Sequence, residues 1–493
     1  MKRFALGLAA LAATLLFATA LSAAAGDLDL TFAGDGTVVT DFEGGGYDVV
    51  WGVAVQRDLK ILVAGETSTA SSDSFAIVRY NANGALDPTF DGDGKVRTEF
   101  TASSFEQSDG LALQGDGKIV VAGYVRIPGS GTFADFALAR YNPDGSLDTS
   151  FDGDGKVMTD FSSGGDLAFS VALQSDGKIV AVGISQQGVG PASLDVGVAR
   201  YNPNGSLDPS FDGDGRAVTP IAAGSEDQAL DVAVQADGKL LVAGSAYGAG
   251  NAYNGVLVRY AADGSLDTSF DGDGKVVLPS IGSRLALQSD GRIIITSSPG
   301  FSVTRFNSNG SIDTSFGQGG SALAPVTGSA SAPAIQPDGK IVVAGSGAAG
   351  HNFAVARFQP GGSPDPSFGL GGAVETVLGG PAGSDLATDV GIALDGKIVV
   401  AGGSRPTSDG PFDFAVARYQ AAPPPCKVPN VRGKKLAAAK TSIKKARCTV
   451  GKVARKASKR VKKGRVISQS PRAGASVPSG AKVNLVVSKG RKR

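Results

Sequence analysis

Residues Asn142–Val157 read "NPDGSLDTSFDGDGKV", and a near copy, "NPNGSLDPSFDGDGRAV", begins at Asn202. The stretch recurs seven times, each time with one phenylalanine in its middle: Phe32, Phe90, Phe151, Phe211, Phe270, Phe316 and Phe368. The intervals between these phenylalanines are 46 to 61 residues. A repeat of this period indicates an array of similar supersecondary units that bury their core between neighbours.

Each unit offers four short strands, which we name a to d in chain order, separated by turn residues. In the second unit we predict them at Gly110–Gln114, Lys118–Gly123, Phe136–Tyr141 and Lys156–Phe161. Seven antiparallel four-stranded units favour an all-β, seven-bladed β-propeller. A β-helix would need far shorter coils, and a row of separate sandwiches would need larger units.

The two ends of the repeat array complement each other. The first strand of the array, Thr37–Phe42, is of type d, and the last, Phe414–Tyr419, is of type c. We therefore predict that the first strand completes the last blade, which removes two open sheet edges.

The repeated text resembles the delta-60 repeat proteins, whose units carry "DGKIVVAG" followed by "FALARYNPDGSLDTSFDGDGKV". The resemblance covers about residues 27–419 and is matched in seven units. It implies a propeller fold and carries no activity with it.

The N-terminal stretch, "MKRFALGLAALAATLLFATALSAAAGD", has a basic start, an apolar run and small residues before Gly26. These features predict a signal peptide over residues 1–25 and a secreted protein. The apolar run, of about 18 residues, could also just span a bilayer, so an uncleaved anchor is the alternative. Once the signal is removed, no segment of the sequence could cross a membrane.

The net charge of +1 conceals two opposite parts. Residues 426–493 contain 22 Lys and Arg and no Asp or Glu, whereas the remainder holds 25 basic and 46 acidic residues. Such asymmetry indicates a polyanionic partner for the basic part.

The stretch "QAAPPPCKVP" marks a domain boundary. We predict a propeller over residues 26–420, a proline-rich linker over 421–425 and a small α+β domain over 426–493, with a helix from about Lys434 to Ala446. Both cysteines, Cys426 and Cys448, lie in this domain. In an exported chain they are expected to form a disulfide, with two free thiols as the alternative.

The segments "VPNVRGKKLAAAK" and "VISQSPRAGASVPSGAKVNLVVSKG" resemble the start and end of a PASTA domain, over about Lys427–Gly490. PASTA domains accompany cell-wall enzymes and kinases, and some bind peptidoglycan fragments, so the resemblance implies a wall tether. Unlike the family pattern, this domain lacks any acid, which makes binding of a general anionic wall polymer the alternative to muropeptide recognition. The candidate wall-binding residues are Arg432, Lys434, Lys435, Lys444, Lys445, Arg465, Arg472 and Lys482. The domain has no aromatic residue on which bases could stack, which argues against nucleic acid as the partner.

Carboxylates at alternate positions before a glycine, as in Asp148, Asp152, Asp154 and Gly155, resemble oxygen-ligand loops for Ca²⁺. The sixth and seventh copies, "FGQGG" and "FGLGG", lack the second and third of these acids. What every copy keeps is one Asp, the Phe and the final Gly, which a turn with positive φ and an Asx-type hydrogen bond requires. A structural turn is therefore favoured, and calcium in the first five copies stays the alternative cofactor.

An arginine near the end of strand c occurs in every unit, and a residue present in every blade is expected to be scaffold. We predict an ion pair between each of these arginines and the Asp of the following turn. The only histidine, His351, has no partner for zinc or triad chemistry. The only tryptophan, Trp51, is expected in the core, with a sugar-binding platform as the alternative.

The loops between strands b and c vary in length and text, and in a propeller they share one face with the connections from d to a. Binding specificity is expected on this variable face, with Tyr124, Phe133, Tyr247 and Tyr253 as candidate ligand contacts. The sequence thus favours a secreted, non-catalytic, wall-associated binding protein. The alternative is an extracellular carbohydrate-active enzyme with Glu66, Asp73, Glu226 and Asp227 as its available non-repeated acids.

Overall fold

The computed structural model describes residues 24–491 except 43, 70–71, 103, 130–133, 162–163, 189–193, 223, 249–251, 279–280, 299, 348–351, 422–425, 447 and 478–480. The predicted export segment 1–23, together with Phe133 and His351, therefore lies outside the described residues. Two compact units divide the chain, and the larger one runs from Ala24 to Ala422.

The strands of the larger unit follow the four-strand repeat. The first part contains β1 (Thr37–Thr40), β2 (Tyr47–Val55), β3 (Ile61–Ser68), β4 (Asp73–Tyr80), β5 (Lys95–Thr98), β6 (Phe105–Leu113), β7 (Ile119–Arg126), β8 (Asp135–Tyr141) and β9 (Lys156–Thr159). The middle contains β10 (Asp166–Leu173), β11 (Ile179–Gln186), β12 (Leu194–Tyr201), β13 (Arg216–Thr219), β14 (Glu226–Val234), β15 (Leu240–Gly248), β16 (Ala252–Tyr260) and β17 (Lys275–Leu278). The last part contains β18 (Ile281–Leu287), β19 (Ile293–Ser298), β20 (Ser302–Phe306), β21 (Ser321–Leu323), β22 (Ser329–Ile335), β23 (Ile341–Ser346), β24 (Phe353–Phe358), β25 (Ala373–Thr376), β26 (Ser384–Ile392), β27 (Ile398–Arg405) and β28 (Asp413–Tyr419).

Within the described residues these strands form seven antiparallel four-stranded sheets, so the predicted all-β, seven-bladed propeller is confirmed. Strands of type a contact those of the neighbouring blades all the way round, including β26 with β2, and therefore surround the central axis. The apolar residues of strands b and c pack between adjacent blades, where burial of each large side chain stabilises the fold by about 1.5–3 kcal/mol.

The predicted ring closure is also confirmed. Strand β1 pairs antiparallel with β28, with Thr37 opposite Ala417 and Thr40 opposite Phe414, and the last sheet has the order β1-β28-β27-β26. Ala25 is fully buried, and its carbonyl accepts a 2.8 Å hydrogen bond from Gly369 N. The predicted signal peptide therefore overlaps the propeller at Ala24 and Ala25.

The innermost strand of the second blade is longer than the sequence suggested, since β6 begins at Phe105 and not at Gly110. Four polar residues follow Phe105, and several of their polar groups are bonded inside the fold: Glu106 Oε1, for example, accepts a 2.7 Å hydrogen bond from Phe100 N. Strand d is shorter than predicted and ends at Thr159. Phe161 N leaves the ladder to donate to Asp166 Oδ2 at 2.8 Å.

The smaller unit is an α+β domain, as predicted. Its elements are β29 (Cys426–Lys427), α1 (Leu436–Lys445), β30 (Thr449–Lys456), β31 (Val466–Ser470), β32 (Ser476–Val477) and β33 (Lys482–Ser488). Strand β33 lies between β30 and β31, and its residues Val483, Leu485 and Val487 share a core with Ile443 of the helix. The predicted disulfide between Cys426 and Cys448 is confirmed, with their Cα atoms 5.3 Å apart, inside this core.

The described part of the chain contains no helix long and apolar enough to cross a membrane.

Candidate functional site

The turn in the repeated stretch is built by residues that every unit keeps. Asp148 Oδ1 accepts hydrogen bonds from Ser150 Oγ at 2.7 Å and from Ser150 N at 3.2 Å. Gly155 has a φ of +90°, and a Cβ atom at this position would lie 3.0 Å from Leu147 Cβ. The turn therefore requires Asp and Gly for its own geometry.

The strand-c arginine joins this turn to the next blade. Arg140 Nε donates to Asp148 Oδ2 at 2.6 Å, its guanidinium stacks 4.6 Å from the ring centre of Phe151, and its Nη1 donates to the carbonyl of Pro203. Burial alone would raise the pKa of Asp148, but hydrogen bonds from Lys118 and Ser150 and the charge of Arg140 hold it well below its usual range. The corresponding ion pairs occur in all seven blades, as predicted for scaffold.

The three acids proposed for calcium do not converge. Asp148 is held by Arg140 and Lys118, Asp154 Oδ1 accepts a 2.9 Å hydrogen bond from Lys156 N, and the three are not among the described acids whose oxygens cluster. Two other groups do cluster on the variable face, each with its oxygens within 4.8 Å of one another: Asp41, Asp48 and Asp413, and Asp135, Asp160 and Asp166. Burial and the nearby charges of Asp160 and Asp166 raise the pKa of Asp135 to about 6.

Each innermost strand carries a β-bulge where its register against strand b shifts. In the first three blades the extra residues are Trp51, Asp109 and Phe169. The fourth blade supplies Leu230, the fifth Arg284, where the shift also includes Ser283, the sixth Ser331 and the seventh Thr388. A bulge re-aims the extra side chain, and here the seven residues meet around the axis and differ in every blade.

These side chains line a cavity of about 290 Å³ at the centre of the propeller. A second cavity, of about 140 Å³, shares Asp109 and Arg284 with it and is lined by residues one or two positions later in the strands, such as Gly110, Asp231 and Asp389. Because strand a runs away from the variable face, the larger cavity is the one nearer that face. We call the two together the channel site.

Among the channel acids, Asp109 is the one with the fewest hydrogen-bond partners. It is 6% exposed, its Oδ1 accepts a 2.9 Å hydrogen bond from Gln107 Nε2, and its Oδ2 has no hydrogen-bond partner in the described structure. Gln107 is held in turn by the hydroxyl of Tyr124, which donates to its Oε1 at 2.7 Å. Burial raises the pKa of Asp109 to about 7, against the hydrogen bond from Gln107 and the charge of Arg284.

Glu66 is a second acid near Asp109 and lies on its side toward the variable face. Burial, together with the charges of Asp109 and Asp73, raises its pKa to about 7, while the indole N–H of Trp51 lies close enough to favour the ionised form. Burial and the same three acids raise the pKa of Tyr124 to about 12. The charges of these residues, which come from the first two blades, therefore act on one another beside the channel.

The other two channel acids are fully engaged by the fold. Asp231 accepts hydrogen bonds from Ser170 Oγ and from the backbone N–H of Val232 and Leu285, each at 2.9 Å. Asp389 accepts from Val53 N and Val390 N, each at 2.8 Å. Burial raises the pKa of both carboxyl groups, and the positive charge of Arg284 counteracts this rise. Arg284 therefore compensates part of the negative charge of these acids.

The basic residues proposed for wall binding lie at the surface of the smaller unit. Lys444 and Lys445 occupy the exposed last turn of α1, and Lys434 Nζ donates to Ser442 Oγ at 3.0 Å. Arg465, which is half-buried, donates from Nη1 to the carbonyl of Gly433 at 2.7 Å. The other four, Arg432, Lys435, Arg472 and Lys482, are exposed. Many cationic groups thus remain available to a ligand.

Comparison with protein families finds two matches in this chain. The PASTA domain family matches residues 427–489, and the family described as a domain of unknown function (DUF5122) beta-propeller matches residues 56–90, 114–151, 174–211, 235–270, 288–316, 336–368 and 394–421. The chain carries seven DUF5122 beta-propeller repeats and one PASTA domain. Both predicted resemblances are confirmed.

Solved structures are only distantly similar to this chain. Virginiamycin B lyase from Staphylococcus aureus is 10% identical, covers 77% of this chain and 98% of its own, and gives a TM-score of 0.46. Sqt1 from Chaetomium thermophilum is 15% identical with a TM-score of 0.43 over 78% and 97% of the two chains, and polysaccharide lyase Uly1 is 12% identical with a TM-score of 0.45 over 81% and 98%. At this level of similarity they say nothing about the activity of this chain.

The DUF5122 propeller does not gather the aromatic residues predicted on its variable face. Tyr124 holds Gln107 beside the channel site, whereas Tyr247 and Tyr253 face each other across strands β15 and β16 in the fourth blade, with ring centres 4.6 Å apart.

The four non-repeated acids also separate. Glu66 and Asp73 lie near Asp109, but Asp227 Oδ2 accepts a 2.6 Å hydrogen bond from Ile221 N, which is the role that Asp166 has in the preceding blade. Asp227 is thus a structural acid, and Glu226 shows no contact with the channel site.

Sequence reasoning missed Asp109 and Arg284 and placed Trp51 in the core. Trp51 is half-buried and lines the channel. The available signal was the residue just before the repeated apolar part of strand a, which differs from unit to unit; in the second unit this residue, Asp109, precedes the predicted strand Gly110–Gln114.

Proposed function

We propose that this protein is a secreted, non-catalytic binding protein of the cell wall. The PASTA domain holds the chain on peptidoglycan or an anionic wall polymer, and the propeller presents a ligand site that opens on its variable face. The observation that carries the proposal is the segregation of charge: 22 basic residues and no acid over residues 426–493, joined to a propeller rich in acids.

Electrostatics supports the tether. Exposed Lys and Arg side chains attract a polyanion at long range, and the absence of any acid within the domain means that no internal ion pair weakens this field. The acidic propeller, by contrast, is repelled by an anionic polymer. The PASTA domain is therefore the part of the chain that would meet the wall.

The disulfide between Cys426 and Cys448 supports a location outside the cytoplasm, because disulfides persist in oxidising compartments. The basic and apolar N-terminal segment supports export in the same way.

Sedimentation of the full chain with purified cell walls tests the proposal. We expect the protein to pellet with the walls at low salt and to be released as NaCl approaches about 1 M, where the Debye length falls to about 3 Å. A chain that stays in the supernatant at low salt would refute the tether.

A second candidate function is glycan cleavage at the channel site. It is favoured by the pair Glu66 and Asp109, whose pKa values both lie near neutrality, since such groups can exchange protons with a substrate. Incubation of the full chain with wall glycans, with Glu66→Gln as the comparison, tests it: products that disappear in the variant would favour an enzyme over a binding protein.

A further inference from the structure

The channel site has two chemically different walls. Trp51, Asp109 and Phe169 occupy the bulge position of three successive blades, so one carboxylate lies between two aromatic side chains. Arg284, Ser331 and Thr388 occupy the same position in the last three blades and form the opposite wall. None of these residues is needed to close the repeated turns.

The two hydroxyl groups of the opposite wall are already committed. Thr388 Oγ1 donates to the carbonyl of Val50 at 2.7 Å, and Ser331 Oγ donates to the carbonyl of Ala387 at 2.9 Å. The charge of Arg284 acts on Asp231 and Asp389, as described above. Among the described residues the guanidinium of Arg284 has no hydrogen-bond acceptor or ion pair, and its single positive charge acts on three acids, Asp109, Asp231 and Asp389.

Asp109 differs from the other channel acids. The residue lines both cavities and is only 6% exposed, and its buried Oδ2 has no hydrogen-bond partner among the described residues. A buried carboxylate oxygen without a partner costs free energy, so a ligand in the cavity that supplied the missing donor would remove this cost.

The charge around Asp109 selects the kind of donor. The negative charges of Glu66 and Asp73 act on the same region. Two cations also reach it. One is Arg284, which acts on Asp231 and Asp389 as well, and the other is Arg126, which stacks 4.8 Å from the ring centre of Phe105. The balance is negative, which disfavours a carboxylate or phosphate ligand. The aromatic walls disfavour a bare hydrated metal ion and favour an apolar body.

We propose that the channel site binds an organic ammonium ion, with the ammonium group at Asp109 Oδ2 and its apolar or aromatic body against Trp51 and Phe169. Aromatic faces next to a carboxylate are the usual surroundings of such cations, because the ring quadrupole and the charge both attract them. The inference rests on the proposed role of the propeller as a ligand-binding platform and names the ligand class.

Fluorescence titration of the full chain tests the proposal, because Trp51 is the only tryptophan and lines the site. The probes are 2-phenylethylammonium, 2-phenylethanol and 3-phenylpropionate, which differ in charge but share an aromatic body. We expect saturable quenching or enhancement with the ammonium probe at pH 8, and at least tenfold weaker binding of the other two.

The variant Asp109→Asn keeps the shape of the side chain and removes its charge, so we expect at least a tenfold loss of ammonium binding. Asp389→Asn is the matched control, since it removes a channel acid whose two oxygens are already bonded within the fold. Equal binding of the ammonium and the alcohol by the wild-type chain would overturn the proposal and leave an apolar pocket, even if a variant failed to fold.

The same variant separates this proposal from the wall tether. Asp109→Asn is expected to pellet with cell walls as the wild type does, since it lies outside the PASTA domain. Absence of ammonium binding in a chain that still binds walls would refute the channel ligand alone.

Discussion

Asp29 accepts a 2.8 Å hydrogen bond from Nε of Arg418, a residue 389 positions later in the chain. Both side chains are buried, and Lys397 Nζ also lies 3.0 Å from Asp29 Oδ2. In every other blade the corresponding Asp follows its arginine by eight residues, as Asp148 follows Arg140. The two ends of the propeller are therefore joined by the same ion pair that organises each repeat, in addition to the pairing of β1 with β28.

Removal of this carboxylate should open the ring. We expect Asp29→Ala to lower the free energy of unfolding by about 3–5 kcal/mol, because Arg418 would remain buried without its partner. Asp35→Ala, in an exposed position of the same turn, is the control and should cost less than about 1 kcal/mol. Chemical denaturation of both variants decides the point, and similar losses would contradict the closure role of Asp29.

A second contact between blades joins the hydroxyl of Tyr141 to Thr98 Oγ1 at 2.7 Å. The same pair recurs as Tyr80 with Thr40, Tyr201 with Thr159, Tyr260 with Thr219 and Tyr419 with Thr376. Where the tyrosine is replaced by Phe306 or Phe358, the threonine position holds Leu278 or Ala324, and each replaced pair shares one apolar cluster. The hydroxyl groups are thus gained or lost together.

We expect Tyr141→Phe to cost about 1 kcal/mol of unfolding free energy, because Thr98 Oγ1 stays buried without its donor. Adding Thr98→Val should recover part of that loss, since both polar groups are then absent, as in the fifth and sixth blades. A double-mutant cycle by thermal denaturation measures the coupling, with Tyr253→Phe, at an exposed ring, as the control. Strictly additive losses would show that the two hydroxyl groups act independently.

Asp109 should make the propeller less stable at alkaline than at acidic pH. Its pKa is about 7 in the folded protein, raised mainly by burial, against about 3.9 for an unfolded Asp. The folded state therefore binds the proton more tightly, and this stabilising contribution declines as pH rises from about 4 to 7. Glu66 acts in the same direction.

We therefore expect Asp109→Asn to flatten the fall in stability between pH 5 and pH 8 and to be more stable than the wild type at pH 8. Denaturation midpoints at the two pH values measure this effect. An unchanged pH dependence would mean that Asp109 titrates as an ordinary surface acid.

Reversal of charge in the PASTA domain should weaken wall binding. We expect Lys444→Glu combined with Lys445→Glu to reduce the fraction that pellets with cell walls at low salt and to lower the salt concentration needed for release. Arg57→Glu, an exposed reversal on the propeller, is the control and should leave pelleting unchanged. Equal retention of the double variant would show that binding does not depend on the charge of helix α1.

The repeats themselves made the blade architecture predictable. Three residues of the repeated turn meet local requirements: Gly155 adopts a positive φ, Asp148 accepts a side-chain hydrogen bond and Phe151 provides a buried ring. Comparison of the seven copies distinguishes these residues from optional ones such as Asp152. The final strand pairing followed from the same comparison, because the first unit begins with strand d and the last unit lacks it. The positive charge and the two cysteines of the PASTA domain could likewise be identified from the local sequence.

The channel site could not be predicted by comparing the repeats. Its residues are 51, 109 and 169 in one wall and 284 in the other, and they meet only because a bulge in each innermost strand turns one extra side chain toward the axis. A bulge has no clear sequence signal here, and the polar start of strand β6 resembled a loop. The sequence by itself determined the repeating strands, their turns and the basic domain, since these depend on neighbours in the chain. Only the closed ring decided which non-repeated side chains face one another, because that depends on seven blades arranged around one axis.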